Sequence, residues 1–191
     1  MKLILSSCDF RNENSKRVIL ENLPKPINEC KLLFIPNEKA TLDAIKSGKY
    51  HNRMTEFGFS KENVTVFNYY APKDFCGLDI DVIYVSGGNT LKTLHRIRNS
   101  VFDKELVRYV KSGVTYIGGS AGAHIVTQDV SHVSTYDPAP EGMSDYHGLG
   151  LLDGILICHY SESRKELYDK LVSEGKKVYV LTDDESLVID E

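Results

Sequence analysis

The sequence predicts an α/β protein, flavodoxin-like, with a mostly parallel sheet covered by helices on both faces in three layers. Three observations carry this. Short apolar, β-branched runs alternate with longer helix-compatible stretches, the signature of successive βα units. The runs are apolar at almost every position, as strands buried on both faces require. Turn-forming glycines, prolines and asparagines close several of them.

Taken in order, strands are expected at residues 3–6, 31–35 (closed by Pro36), 64–68, 82–86, 114–118, 155–158, 178–181 and 186–189. Helices are expected between them. The stretch 40–57 carries apolar residues at 42, 45, 54 and 57 but is interrupted by Gly48. The stretch 91–98 begins after Asn89-Thr90, an N-cap signal. Residues 102–111 place apolar side chains at 102, 106, 107 and 110, close to a 3.6 period, with Gly113 positioned to end the helix. Residues 164–172 repeat that pattern before Gly175. Residues 130–150, with Pro138, Pro140 and three glycines, read as a long loop. Such a loop in a compact domain is usually functional, and its place between the elbow helix and the next strand suits an active-site wall or lid.

Length and composition bound the function. The 191 residues are expected to form a single domain, 1–191, with one sizeable core. A net charge of −4 without any basic cluster argues against a nucleic-acid partner. The apolar start at Leu3-Ile4-Leu5 is stopped by Ser6-Ser7-Cys8-Asp9, so neither a secretory leader nor a membrane segment is read. Cysteines at 8, 30, 76 and 158 form no C-x-x-C pair, so no metal site is inferred, and a reducing cytoplasm is the expected setting.

The stretch most informative about chemistry is Val114-Thr115-Tyr116-Ile117-Gly118-Gly119-Ser120-Ala121-Gly122-Ala123-His124. A β-prone run enters Gly-x-Ser-x-Gly and a helix-compatible run leaves it, the layout of a nucleophile elbow. Ser120 is therefore the candidate nucleophile, and the N–H of Ala121 a candidate oxyanion donor. A serine hydroxyl needs a base. Of six histidines, His159 follows a strand directly and stands at its carboxyl end, where open α/β sheets place their ligands; His124 is expected to pack or cap. Two acids compete to orient the imidazole. Asp137 lies in the long loop, whereas Glu185, in Thr182-Asp183-Asp184-Glu185-Ser186, lies on a turn after the next strand. A strand end holds an orienter more rigidly than a loop does, which favours Glu185. The turn Ser86-Gly87-Gly88-Asn89-Thr90 lets backbone approach a substrate closely; Gly88 is the second candidate oxyanion donor, with Asn89 beside it as a substrate-binding candidate. Two rival readings use the same residues: an esterase or acyl transferase, and a catalytically silent flavodoxin-like module binding an anion at Gly87-Gly88.

Ser86-Gly87-Gly88-Asn89-Thr90, then Tyr116 through Ala123, then His159-Tyr160, span about half the chain and resemble the dipeptidase E and cyanophycinase family of serine peptidases. The resemblance implies a fold like that of class I glutamine amidotransferases, with serine in place of their cysteine. It also implies peptidase chemistry, without a cofactor, on short peptides or isopeptides with an acidic residue at the cleaved bond. Ser120 would be the nucleophile, His159 the base, and Gly88 with Ala121 the oxyanion hole. The dipeptidase pattern points to Asp137 as third member, the cyanophycinase pattern to Glu185. The dipeptidases recognise their aspartate with an arginine beyond the histidine, for which Arg164 is the candidate. The chain departs from their pattern at Gly119, where tryptophan is usual, at His124, where asparagine is usual, and at Cys158, where proline is usual. The partner expected is a small peptide substrate; oligomeric state stays open, a homodimer included.

Overall fold

The computed structural model describes residues 1–191. The elements, in chain order, are β1 (Lys2–Ser6), α1 (Glu13–Asn22), β2 (Leu32–Ile35), α2 (Leu42–Lys46), α3 (Lys49–Phe57), β3 (Val64–Val66), β4 (Val82–Val85), α4 (Thr90–Asn99), α5 (Asp103–Lys111), β5 (Thr115–Gly119), α6 (Ala121–His124), β6 (Ile155–Ile157), α7 (Lys165–Ser173), β7 (Val178–Val180) and β8 (Ser186–Asp190). All eight expected strands form, each within two residues of its expected ends. Gly48, in the left-handed region at φ 80°, divides the 40–57 stretch into α2 and α3.

Six strands make one sheet in the order β3-β2-β4-β5-β1-β8. All its pairings are parallel except that of β8, which returns antiparallel along β1. β6 and β7 leave this sheet and pair with each other. The near-continuous apolar strands resolve, in the sheet, into two sets of alternate side chains. Leu3, Leu5, Leu33, Ile35, Ile83, Val85 and Tyr116 enter one core, covered by α4 and α5 through Leu91, Leu94, Ile97, Leu106 and Val110. Ile4, Leu32, Phe34, Val82, Tyr84 and Ile117 enter the other, where Ile19 of α1 and Tyr50 and Met54 of α3 pack. A fully buried aliphatic side chain contributes about 1.5–3 kcal/mol, so both faces are strongly specified. The β6–β7 pair has a small core of its own, Ile155, Ile157 and Leu171, on one face and enters the first core through Leu156, Cys158 and Leu181 on the other, with polar tethers described below.

α1 was not legible in the sequence. Its first turn is polar and only Ser15 and Ile19 are buried, so the apolar stripe is short. The signal that marks it is Asn12, whose side chain accepts from the N–H groups of Asn14 and Ser15.

The chain path creates two crevices. Connections after β1 and β2 run to the face carrying α1–α3, and those after β4 and β5 to the face carrying α4–α6. Adjacent strands therefore diverge at their carboxyl ends between β2 and β4, and again between β5 and β1. Such divergences are where open α/β sheets bind ligands. No helix is long and apolar enough to cross a membrane.

Val101, between α4 and α5, is 73% exposed and held at φ 59°. A β-branched residue is strained there. Val101→Asn, whose short amide tolerates the left-handed region, is expected to raise unfolding free energy by about 1 kcal/mol; urea denaturation measures it, and an unchanged or lowered midpoint contradicts the strain.

Candidate active site

β5 delivers Ser120 to the crevice between β5 and β1, and α6 leaves it after a single turn. Ser120 itself sits at φ 48°, ψ −105°. The flanking glycines are required by close backbone approach. A Cβ on Gly118 would lie 2.6 Å from the Gly122 carbonyl oxygen, and one on Gly122 only 2.2 Å from that of Val85. Gly119 has a separate reason: its Cβ position is 2.3 Å from Asp9 Oδ2, so a buried carboxylate fills the space a larger side chain would need.

Three non-glycine residues near the elbow have positive φ: Asp9 (51°), Ser120 (48°) and His159 (52°). Each costs on the order of 1–3 kcal/mol and survives only where its surroundings hold it. The end of β1 holds all three. Ser120 N–H donates to the Ser6 carbonyl (2.8 Å), Asp9 N–H to Ser6 Oγ (3.0 Å), and His159 N–H to Ser7 Oγ (2.9 Å). Ser7 Oγ donates in turn to the Leu181 carbonyl (3.0 Å), tying β1 to the end of β7. Both serines are fully buried.

The result is a continuous polar line. Ser120 Oγ lies 2.9 Å from His159 Nε2, and His159 Nδ1 lies 2.5 Å from Asp183 Oδ1. The hydrogen bond to His159 lowers the Asp183 carboxyl below its usual range. The residue facing the imidazole is thus neither Glu185 nor Asp137. The 182–185 turn distributes its acids: Asp183 meets His159, Asp184 accepts from Asn12 Nδ2 (2.7 Å), and Glu185 folds back to accept from Thr182 N–H (2.8 Å). Asp137 accepts from the Thr90 N–H at the start of α4 (2.8 Å) and so anchors the long loop. The strand-end argument pointed to the turn that faces His159; the side-chain directions within that turn bring a neighbour of the favoured acid to the imidazole.

The other expected residues are distributed as follows. Ala121 N–H opens α6 and has no partner from a preceding helical turn. In the Gly87-Gly88 turn, a Cβ on Gly87 would lie 3.3 Å from Ser120 Cβ, while one on Gly88 would meet Glu38 and Asn37. Asn89 has a structural role: its Oδ1 caps α4 at Lys92 N–H (2.8 Å) and its Nδ2 donates to the Pro138 carbonyl (3.1 Å). One Nδ2 hydrogen and one Oδ1 lone pair are left over from these two bonds. Arg164 donates to the Cys158 carbonyl and lies over the Tyr136 ring at 4.2 Å, with no carboxylate partner, next to His159.

Two further histidines brace the site. His124 is buried and uncharged, burial holding it well below its usual pKa. Its Nε2 accepts from Cys158 N–H (3.2 Å), so the proton is on Nδ1 and is donated to Thr90 Oγ1 (3.1 Å). It therefore joins the elbow helix, the start of α4 and the residue before His159. His132, on a 3-10 turn in the long loop, donates from Nε2 to the Leu156 carbonyl (2.9 Å). The loop is consequently a fastened wall at this end, with Val130 and Val133 in the core.

Cys8 Sγ, His159 and Asp183 offer three ligand atoms within 4.8 Å of one another. They suit a metal poorly. The imidazole and carboxylate share a 2.5 Å hydrogen bond, and burial with the nearby Asp183 pushes the thiol up to about 11, away from the thiolate that binds metals.

Comparison with known proteins bears on the family and the fold. Residues 2–191 match the profile of Peptidase family S51. An uncharacterized peptidase of Listeria monocytogenes is 33% identical over 115 residues, 57% of this chain and 56% of the relative. One of Pasteurella multocida is 31% identical over 83 residues, 42% of this chain and 40% of the relative. These matches thus span about half the length of the curated relatives or less. Among solved structures, a candidate peptidase E protein from Listeria monocytogenes superposes with a TM-score of 0.74 at 24% identity, covering 98% of this chain and 93% of that one. A peptidase from an acI-B1 Actinobacterium gives 0.56 at 16% identity, covering 98% and 82%. Both likenesses support the fold.

Burial lowers the His132 pKa from the usual 6.5 to about 4. Between those values the unfolded chain binds a proton that the folded chain does not, so stability falls as pH falls from 6.5 to 4, by up to about 3 kcal/mol from this group. His124 adds in the same direction. Urea midpoints across this range should drop steeply for the native protein and less steeply for His132→Gln; a flat native profile contradicts burial of neutral histidines.

Proposed function

The chain belongs to peptidase family S51, and from that premise we propose that it is a serine peptidase acting on short peptides or isopeptides with an acidic residue at the scissile bond. The observation that carries the reading is the line Ser120 Oγ, His159 Nε2, His159 Nδ1, Asp183 Oδ1, with separations of 2.9 and 2.5 Å. It connects a hydroxyl, a base and an orienting carboxylate in the order that acyl transfer needs.

In the proposed reaction Ser120 Oγ attacks the carbonyl carbon of the scissile bond while His159 Nε2 takes the hydroxyl proton. Asp183 accepts from Nδ1–H, which fixes the tautomer that leaves Nε2 free and stabilises the imidazolium. The carbonyl oxygen, now an oxyanion, receives the Ala121 N–H and an N–H of the Gly87-Gly88 turn, with Gly88 as the candidate. His159 passes its proton to the leaving amine as the C–N bond breaks, giving an acyl-enzyme. A water then attacks that ester, His159 again taking a proton and returning it to Ser120 Oγ as the acid product leaves. No step calls for a cofactor. The preference for an acidic residue is supported by Arg164, a half-buried guanidinium beside His159 whose charge no carboxylate neutralises.

A fluorophosphonate probe should label Ser120, and a dipeptide library including Asp-X and β-Asp-Arg members should reveal turnover. Ser120→Ala should abolish both and keep the fold; peptidase activity surviving in it overturns the mechanism. Asp183→Asn should lower kcat by about 10⁴, because the imidazole loses its partner and tautomer. Glu185→Gln and Asp137→Asn should stay within about tenfold, since neither carboxylate touches His159. Steady-state kinetics on the three variants distinguishes them, and a larger loss in either of the last two than in Asp183→Asn refutes the assignment.

A further inference from the structure

The second divergence in the sheet, between the carboxyl ends of β2 and β4, holds a cavity of about 370 Å³ lined by Asn37, Lys39, Lys49, Tyr50, Arg53 and Ser86. Its volume falls in the range of small-ligand pockets, about 300–1,000 Å³. We propose that this cavity is an anion subsite that binds a carboxylate of the peptide substrate, separate from Arg164; as a substrate subsite it rests on the peptidase reading above.

Charge is the first argument. Lys39, Lys49 and Arg53 line the cavity and none of them forms an ion pair. Lys49 lies over the Tyr50 ring at 4.9 Å and Arg53 over the Phe57 ring at 5.8 Å. The acids nearby are committed elsewhere. Glu38 accepts from Asn89 N–H and Thr93 Oγ1, and Asp9 pairs with Arg11. Like charges gathered without a counter-ion repel, and a bound anion relieves that repulsion.

The second argument is a polar group without a partner. Ser86 is only 4% exposed, yet its hydroxyl makes no hydrogen bond within the protein and faces the cavity it lines. A carboxylate oxygen over Ser86, flanked by Arg53, would satisfy that hydroxyl.

The third argument is position. Asn37, a lining residue, donates from Nδ2 to the Gly87 carbonyl (2.9 Å), and a Cβ on Gly87 would lie 3.3 Å from Ser120 Cβ. The cavity therefore borders the turn beside the nucleophile. Arg164 does not line it and lies instead against the Cys158 carbonyl, the residue before His159, and the Tyr136 ring. A peptide crossing Ser120 meets unneutralised positive charge at two places, so the preferred substrate carries two carboxylates.

The carboxylate can be an acidic side chain or the peptide's own C-terminus, and paired substrates separate the two. With a peptide found by the library screen, one partner has its C-terminus amidated and another has its second acidic residue replaced by the amide. One of these changes should raise KM at least tenfold for the native protein and leave the Lys49→Met/Arg53→Met double variant nearly unaffected. If neither does, the proposal is overturned. A binding experiment needs no turnover: the Ser120→Ala protein is titrated with succinate and with inorganic phosphate and followed by backbone amide NMR. Succinate should shift signals around Lys39, Lys49, Arg53 and Ser86, and its affinity should fall at least tenfold on adding Ser86→Ala with Arg53→Met. Absent or unlocalised shifts, or tighter binding of phosphate, overturn the carboxylate site. Localised succinate binding in a protein that cleaves no peptide upholds the anion site and removes the peptidase reading, so the two failures are told apart.

Discussion

The end of β1 is the constraint on which the site depends. Ser6 and Ser7 use a carbonyl and two hydroxyls to hold the backbone N–H groups of Asp9, Ser120 and His159. Each of those residues has a backbone conformation that side-chain sterics disfavour. Their combined strain, several kcal/mol on the scale of single positive-φ residues, is comparable with the whole net stability of an ordinary domain. It is sustained because β1 lies inside the sheet, between β5 and β8, with Leu3, Ile4 and Leu5 fully buried. Rigidity of the sheet is thus converted into placement of a hydroxyl and an imidazole that belong to different strands.

His159 follows a strand that lies outside the six-stranded sheet. β6 and β7 form their own two-stranded sheet, with Ile155, Ile157 and Leu171 clustered on one face and Leu156, Cys158 and Leu181 in the first core on the other. Ser7, through the Leu181 carbonyl and His159 N–H, fastens one side of it. His124, through Cys158 N–H, and His132, through the Leu156 carbonyl, fasten the other. Where the dipeptidase pattern has asparagine, His124 supplies an acceptor on one nitrogen and a donor on the other, and burial keeps it in the neutral form that can do both. The departure from tryptophan at Gly119 has a similarly local origin, since Asp9 occupies that space.

The two crevices divide the work. The one between β5 and β1 brings the Ser120 hydroxyl to the His159 imidazole, and the one between β2 and β4 gathers Lys39, Lys49 and Arg53 around the Ser86 hydroxyl. The Gly87-Gly88 turn lies between them, touching Ser120 on one side and Asn37 on the other. The chemistry and the charge selection in this reading are therefore neighbours along one sheet edge.

The sequence by itself determined the eight strands, the strand-to-helix turn at Ser120 and the strand end at His159. Apolar runs, a small-residue turn and a strand end are local features, and the physics that makes them is local. It also led to the 182–185 turn, but a run of three acids has no internal property that says which carboxylate points where. Only the tertiary structure decided that Asp183 meets His159, because the hydrogen bonds that turn Asp184 toward Asn12 and Glu185 toward Thr182 form once α1 and the turn are side by side. The same holds for Ser6-Ser7, an unremarkable polar pair as sequence, and for Lys39, Lys49 and Arg53, scattered along the chain and gathered by α3 packing against β2 and β4. Asn89 and Asp137 show the converse: polar residues well placed for chemistry were claimed by the N-terminus of α4, whose free N–H groups needed acceptors.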